Sequence, residues 1–250
     1  MKKILLLSLI SLVTLSATLP ALALGPVDMD AELAINSQYV WRGMIESSDP
    51  VIQPGLSANI MGIGFGFWGN IDTSDINGNE WEFNEIDWTA TYAFPLPIVD
   101  LEFGLIHYTY PNTDDSSTSE FYVSAESGLL LSPALAYYYD FDENDGAYIE
   151  ASISHDVAMT PALNLELGAG LGFGSEGWVS TFFQKPTAGL TDFHISAGMP
   201  FESIPFFTIT PSLAYSTLLG DAKDSFEVLP GEEELDTNAL IFGLSASFSF

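Results

Sequence analysis

Asn238 to Phe250 reads NALIFGLSASFSF. Leu240, Phe242, Leu244, Ala246, Phe248 and Phe250 alternate along it with Ile241, Gly243, Ser245, Ser247 and Ser249. A period of two puts successive side chains on opposite faces of a β-strand. One face here is aliphatic and aromatic, and the other is mostly small or polar. The alternation runs to the last residue, a phenylalanine on the apolar face. The rest of the chain must supply strands for this one to pair with.

Outward from that segment, the same alternation recurs and predicts twelve strands, an even number as in single-chain bacterial barrels. They fall near 31–42, 51–60, 63–72, 83–93, 99–110, 119–128, 133–141, 147–156, 162–173, 191–199, 206–218 and 239–250. Most are long enough for a tilted strand to cross a bilayer. The connections alternate in length. Residues 43–50, 73–82, 111–118, 142–146, 174–190 and 219–238 read as polar and mostly acidic, whereas 61–62, 94–98, 129–132, 157–161 and 200–205 are brief and apolar or proline-bearing. Long extracellular loops and short periplasmic turns produce that rhythm. The predicted fold is all-β: an antiparallel transmembrane β-barrel of about 12 strands.

The N-terminus supplies an address. Met1-Lys2-Lys3 is basic, Ile4 to Leu19 is apolar, and Ala21-Leu22-Ala23 is a small-x-small cleavage site. This pattern predicts a cleaved signal peptide over 1–23 and one barrel domain over 24–250, in the bacterial outer membrane. The apolar stretch is short for a membrane-spanning helix of about twenty residues. Cysteine is absent, which removes lipoprotein anchoring and every disulfide. Without Lys2 and Lys3, the cations are Arg42, Lys185 and Lys223 against 34 acids, a net charge of −31. Such a surface repels nucleic acid. Disorder is the usual outcome of this much charge, yet 47% hydrophobic and 13% aromatic residues are far above a disordered composition.

If both termini are periplasmic, each side chain acquires a face and a height. Leu33, Ile35, Tyr39 and Trp41 are expected on the lipid face, with Ile63, Phe65, Phe67, Ile86, Trp88, Leu101, Phe103, Leu105, Leu165 and Leu167. The terminal strand, ending on Phe250, resembles the closing strand of outer-membrane barrels. The resemblance implies that the barrel assembly machinery reads this strand.

A second resemblance rests on Ser37-Gln38-Tyr39-Val40-Trp41-Arg42-Gly43, on Pro50-Val51-Ile52-Gln53-Pro54-Gly55-Leu56, and on Gly66-Phe67-Trp68-Gly69-Asn70. These are similar to the N-terminal signature of the TorF-like porin family. Leu131-Ser132-Pro133-Ala134-Leu135, Tyr137 to Asp140, Gly146 to Glu150 and Ser154-His155 are similar to its middle. The resemblance covers about a third of the chain and implies an outer-membrane barrel with a pore, without naming a solute.

The opposite parity selects the interior. Expected there are Asn36, Gln38, Gln53, Ser57, Asn59, Trp68 and Asn70, with Tyr108, Tyr122, Tyr138 and His194. Seven carboxylates join them, Glu85, Asp87, Asp100, Glu102, Glu126, Glu150 and Glu166, facing the single cation Arg42. Ionised carboxylates in a dry interior are prohibitive, so these must be solvated, cation-bound or partly protonated. Glu85, Asp87 and Glu150 fall with Arg42 toward the extracellular half. Asp100, Glu102, Glu126 and Glu166 fall toward the periplasmic half, with Glu102 expected close to Glu126. Rings of Asp and Glu attract cations, so the predicted function is passive diffusion of small cationic or neutral solutes through an acidic, porin-like lumen. The alternative is a non-conducting structural or adhesive barrel whose acidic loops bind divalent cations.

Other motifs give less. Asp140 to Gly146 begins like a calcium loop, but Asp145 stands where that loop requires glycine, and Ala151 where it requires glutamate. Gly168, Gly170 and Gly172 alternate along a strand and are expected to leave space in the lumen. An outer-membrane lipase would need a serine beside a histidine on the lipid face near the extracellular rim. His107 has that height, but its expected outward neighbours on the sixth strand are Phe121 and Val123, so no enzyme, cofactor or metal site is predicted.

Overall fold

The computed structural model describes residues 27–78, 80–160, 163–226 and 236–250. The expected signal peptide and the acidic run Glu232-Glu233-Glu234 lie outside the described residues. Twelve strands form the barrel: β1 (Val27–Asn36), β4 (Val51–Ile60), β5 (Ile63–Asp72), β6 (Phe83–Pro95), β7 (Asp100–Thr109), β8 (Thr118–Glu126), β9 (Ala134–Asp140), β10 (Gly146–Thr160), β11 (Leu163–Gly174), β12 (Gly189–Gly198), β14 (Phe207–Leu218) and β15 (Asn238–Ser249). Each pairs antiparallel with the next, and β15 returns to β1 to close the ring, with Leu33 opposite Ala246 and Ile35 opposite Leu244. Closure leaves no free sheet edge, which a bilayer requires of any strand structure. A short strand, β13 (Phe201–Ile204), pairs with β14 and β11 at the rim of short turns.

The wall is inside out relative to a water-soluble protein. Phe65 and Phe242 on the outer face are each 60% exposed, while Asn70 and Asp72 on the inner face are fully buried. Lipid is the solvent that suits such an exterior, and outer-membrane barrels carry this alternation. Outward aromatics pack along neighbouring strands, as Phe67 does on Trp88 at 5.3 Å and Phe121 on Tyr139 at 5.7 Å.

The first strand departs from its expected course. The barrel strand ends at Asn36, and residues 39–47 leave the wall as a separate hairpin of β2 (Tyr39–Trp41) and β3 (Met44–Ser47). Trp41 pairs with Met44, so Arg42-Gly43 is a two-residue turn. Both residues have positive φ, 47° and 85°, as a type I′ hairpin demands. Tyr39 and Trp41 therefore point into protein, not lipid, as their contacts below show. Apolar alternation continues through the turn, which disguises two strands as one.

Among the described residues, two helices also lie in the long loops, α1 (Glu176–Phe183) and α2 (Gly220–Asp224). The Ser175 hydroxyl caps α1 by accepting from the Trp178 amide, and Gln184 ends it in the left-handed conformation. Trp178, Val179, Phe182 and Phe183 recur at helical spacing within a segment read above as a polar loop. Trp178, Val179 and Phe183 form a buried apolar cluster with Tyr148, Leu218 and Ala222, against which the partly buried Phe182, Trp41 and Met44 pack. That cluster fills part of the barrel at the rim of long loops.

Candidate functional site

The hairpin crosses the bore. It leaves β1, and its tip reaches β8, β9 and β10, which stand on the opposite side of the twelve-strand ring. Arg42 Nη1 and Nη2 donate to Glu120 Oε1 and Oε2, both at 2.7 Å. The Arg42 guanidinium carbon lies 4.4 Å from the ring centroid of Trp41, 4.7 Å from that of Tyr138 and 4.5 Å from that of Tyr148. The Tyr108 hydroxyl donates to Glu120 Oε2 at 2.9 Å. A bidentate fork against a planar carboxylate, stacked between aromatic faces, is what a guanidinium does and an ammonium cannot. With side chains only 8% and 3% exposed, the pair is a buried charge clamp. Beside it, a Cβ on Gly43 would stand 2.5 Å from Asp192 Cβ and 2.8 Å from Leu218 Cδ2, so only glycine lets the tip seat against β12 and β14.

Two cavities flank this bridge. The one toward the long loops holds about 330 Å³ and is lined by Tyr39, Trp41, Glu46, Glu85, Tyr110 and Glu120, among others. The one toward the short turns holds about 570 Å³ and is lined by Glu32, Asn36, Gln53, Trp68, Asp156 and Glu166, among others. Tyr39 from the first and Trp68 from the second pack together with ring centroids 5.4 Å apart. The two cavities thus approach each other where Tyr39 touches Trp68.

Most of the expected interior side chains share the inner face. Asn36 donates to Gln53 at 2.8 Å, Gln53 to Asn70 at 3.0 Å, and Asn70 to Asp72 at 3.2 Å. Asn77 and Asn84 complete the shell of Asp72 at 2.7 and 3.0 Å. Glu85 lines the same cavity as Tyr39, while Asp87, opposite Trp68 and Tyr108, has a buried Oδ1 with no hydrogen-bond partner. Glu102 accepts from the Tyr122 hydroxyl at 2.5 Å. Register places Asp100, not Glu102, directly opposite Glu126, and Glu102 opposite Ser124. Glu150 lies opposite Gly172, and Glu166 opposite Asp156.

Arg42 is held inside the barrel by the hairpin turn, not by the first wall strand, and its partner is Glu120. Glu120, like Asp72, Asp140 and Asp192, is a buried carboxylate that the sequence reading missed. The signal was present: Glu120 precedes Tyr122 by two, and Asp192 precedes His194 by two, so parity alone puts them inward. Asp140 accepts from Thr118 Oγ1 at 2.7 Å and from Asn144 Nδ2 at 2.7 Å, and its other oxygen takes the amides of Asp142 and Asn144. The calcium-like stretch is thus a turn organised by its own donors. The glycines of β11 admit neighbouring side chains over the wall: a Cβ at Gly170 would meet the His194 ring at 2.3 Å, and one at Gly172 would meet Asp192 Oδ1 at 2.1 Å.

One lipid-face expectation is overturned. Ser119 lies directly across from His107, and its Oγ is 3.0 Å from His107 Nδ1. Phe121 and Val123 face Leu105 and Phe103 instead. The hydrogen bond satisfies two polar side chains on an apolar surface, and among the described residues no third side chain is hydrogen-bonded to the pair.

A closed barrel with this exterior belongs in the bacterial outer membrane. Its fold is similar to that of a KdgM porin solved in complex with disordered oligogalacturonate, with a TM-score of 0.54 at 11% identity over 89% of this chain and 99% of that one. The NanC porin gives 0.51 at 12% identity over 89% and 99%. The COG4313 outer membrane channel from Pseudomonas putida F1 gives 0.50 at 13% identity over 92% and 97%. At these identities the likeness is one of fold. No match is found among curated proteins. A family model described as a bacterial protein of unknown function (Gcw_chp) matches residues 20–202, and the chain belongs to that family.

Proposed function

We propose that this protein is an outer-membrane channel that passes small cations or small neutral solutes by diffusion and disfavours anions. In this reading residues 1–23 are removed on export, the long loops face outward, and Arg42, Glu85, Asp87, Asp100, Glu102, Glu126, Glu150 and Glu166 line or flank the path. The observation that carries it is the pair of carboxylate-lined cavities whose lining residues Tyr39 and Trp68 touch, in a lumen where Arg42 is already neutralised by Glu120. Inner carboxylates without a protein cation set a field that concentrates cations and excludes anions. The TorF-like resemblance of residues 37–70 supports a pore as well. The ligand of the KdgM porin does not transfer, because oligogalacturonate is a polyanion and this interior is acidic.

The hairpin across the bore favours a second reading, a barrel kept closed for structural or adhesive purposes. Insertion of the refolded protein into a planar bilayer separates the two. The channel reading expects discrete conductance steps in KCl. A folded, inserted barrel that never conducts supports the second.

A further inference from the structure

The vestibule between the hairpin and strands β6 to β9 has a composition that simple ion passage does not require. Its volume of about 330 Å³ is within the range of small-molecule pockets. Aromatic side chains from three sources enter it, Tyr39 and Trp41 from the hairpin, Tyr110 from the end of β7, and Phe182 from α1. Glu46 and Glu85 stand among them, and among the described residues neither is bridged to a lysine or arginine. Below Glu85 on the same strand, Asp87 keeps a buried oxygen without a donor.

The same wall already shows which group satisfies such an environment. Arg42 is an occupant held by a carboxylate fork and three ring faces, and Trp41 and Glu120, two of the residues that hold it, also line the vestibule. A cation between aromatic faces gains roughly 0.5–2 kcal/mol according to its desolvation. Adjacent carboxylates add charge-assisted hydrogen bonds, which an inorganic ion lacking N–H groups cannot make. A strongly hydrated metal ion would gain little from the rings, whereas a planar or alkylated nitrogen cation uses both features.

We propose that this vestibule is a binding site for small organic cations carrying a guanidinium or ammonium group, with Glu46 and Glu85 as counter-charges and Trp41 and Tyr110 as ring faces. The proposal deepens the cation-favouring channel reading and rests on it for physiological meaning, but binding can be measured without conduction. Isothermal titration calorimetry of the detergent-folded full chain with methylguanidinium chloride is the test, with N-methylurea as the uncharged isostere and KCl as the simple cation. Saturable binding of methylguanidinium at one site is expected, with N-methylurea at least tenfold weaker and KCl competing only at far higher concentration. Glu46→Gln, on the exposed face of the hairpin, should weaken binding severalfold without touching the barrel wall, and Glu46→Gln/Glu85→Gln should weaken it at least tenfold.

Equal binding of N-methylurea, or unchanged affinity in either folded variant, overturns the site. Absent binding in a barrel that still prefers K⁺ over Cl⁻ removes the site and leaves the channel reading. Binding in a barrel without that preference removes the channel reading and leaves a receptor site.

Discussion

Tyr39 and Trp68 meet ring to ring at 5.4 Å with planes inclined by 52°, and each lines a different cavity of the same lumen. Tyr39 arrives on the inserted hairpin and Trp68 stands on the barrel wall. Their contact lies where the inserted hairpin meets the wall between the two cavities. Trp68→Ala should widen the passage between the two spaces and raise single-channel conductance at least twofold, with a stability loss below the roughly 3–5 kcal/mol of a fully buried aromatic, because Trp68 is only half-buried. Tyr39→Phe keeps the ring and removes only the hydroxyl, so its conductance should stay near the wild-type value.

The Arg42–Glu120 clamp makes a sharper thermodynamic prediction. Arg42→Ala strands a carboxylate whose side chain is 3% exposed, and removing one partner of a buried pair costs about 3–5 kcal/mol. Arg42→Ala/Glu120→Gln should recover a large part of that loss in denaturant unfolding. Arg42→Lys should recover less, because an ammonium cannot make the two parallel bonds or stack between rings. Equal stability of all three variants would show that the clamp does not hold the hairpin.

Orientation is testable from outside the cell. Ser117 and Asp236 lie exposed at the rim of long loops. Cysteines placed at either position should react with a membrane-impermeant maleimide on intact cells. Protection of both would invert the barrel.

Much of this architecture is legible in the sequence because a barrel wall is governed by one variable, the parity of side chains. The twelve wall strands and their long and short connections follow from it. What escapes is what leaves the wall. Arg42-Gly43 is a turn signal only to a reader who doubts the alternation around it, since Val40, Trp41, Met44 and Ile45 continue the apolar text on both sides. Helix α1 hides in a loop because its apolar residues face the lumen contents, a surface absent from a two-solvent picture of lipid and water. Glu120 has the right parity, but its pairing with Arg42 joins residues 78 apart through an element that strand periodicity cannot place. The same applies to Ser119 and His107, whose contact depends on a register two residues from the one expected.

The C-terminus gives a prediction about assembly. The Phe250 amide donates to the Met29 carbonyl, and the Met29 amide donates back to Phe250, both at 2.9 Å, while the Phe250 ring packs on Phe248 at 5.3 Å. Deleting Phe250 removes those two bonds and one partly exposed ring, a burial term of at most about 1.5–3 kcal/mol. Refolding into detergent should survive, while outer-membrane insertion in cells should fall severalfold. Normal insertion would show that the terminal aromatic is not read during assembly.

The reversal potential in asymmetric KCl tests the central claim most directly. Asp100, Glu102 and Glu126 sit together near the rim of short turns, where Asp100 faces Glu126 across adjacent strands. The wild-type barrel should show a potential of the sign set by K⁺, and Asp100→Asn/Glu102→Gln/Glu126→Gln should fold normally and move that potential toward zero. A wild-type potential of the sign set by Cl⁻, or one that the triple variant leaves unchanged, would contradict a cation-favouring path through this acidic lumen.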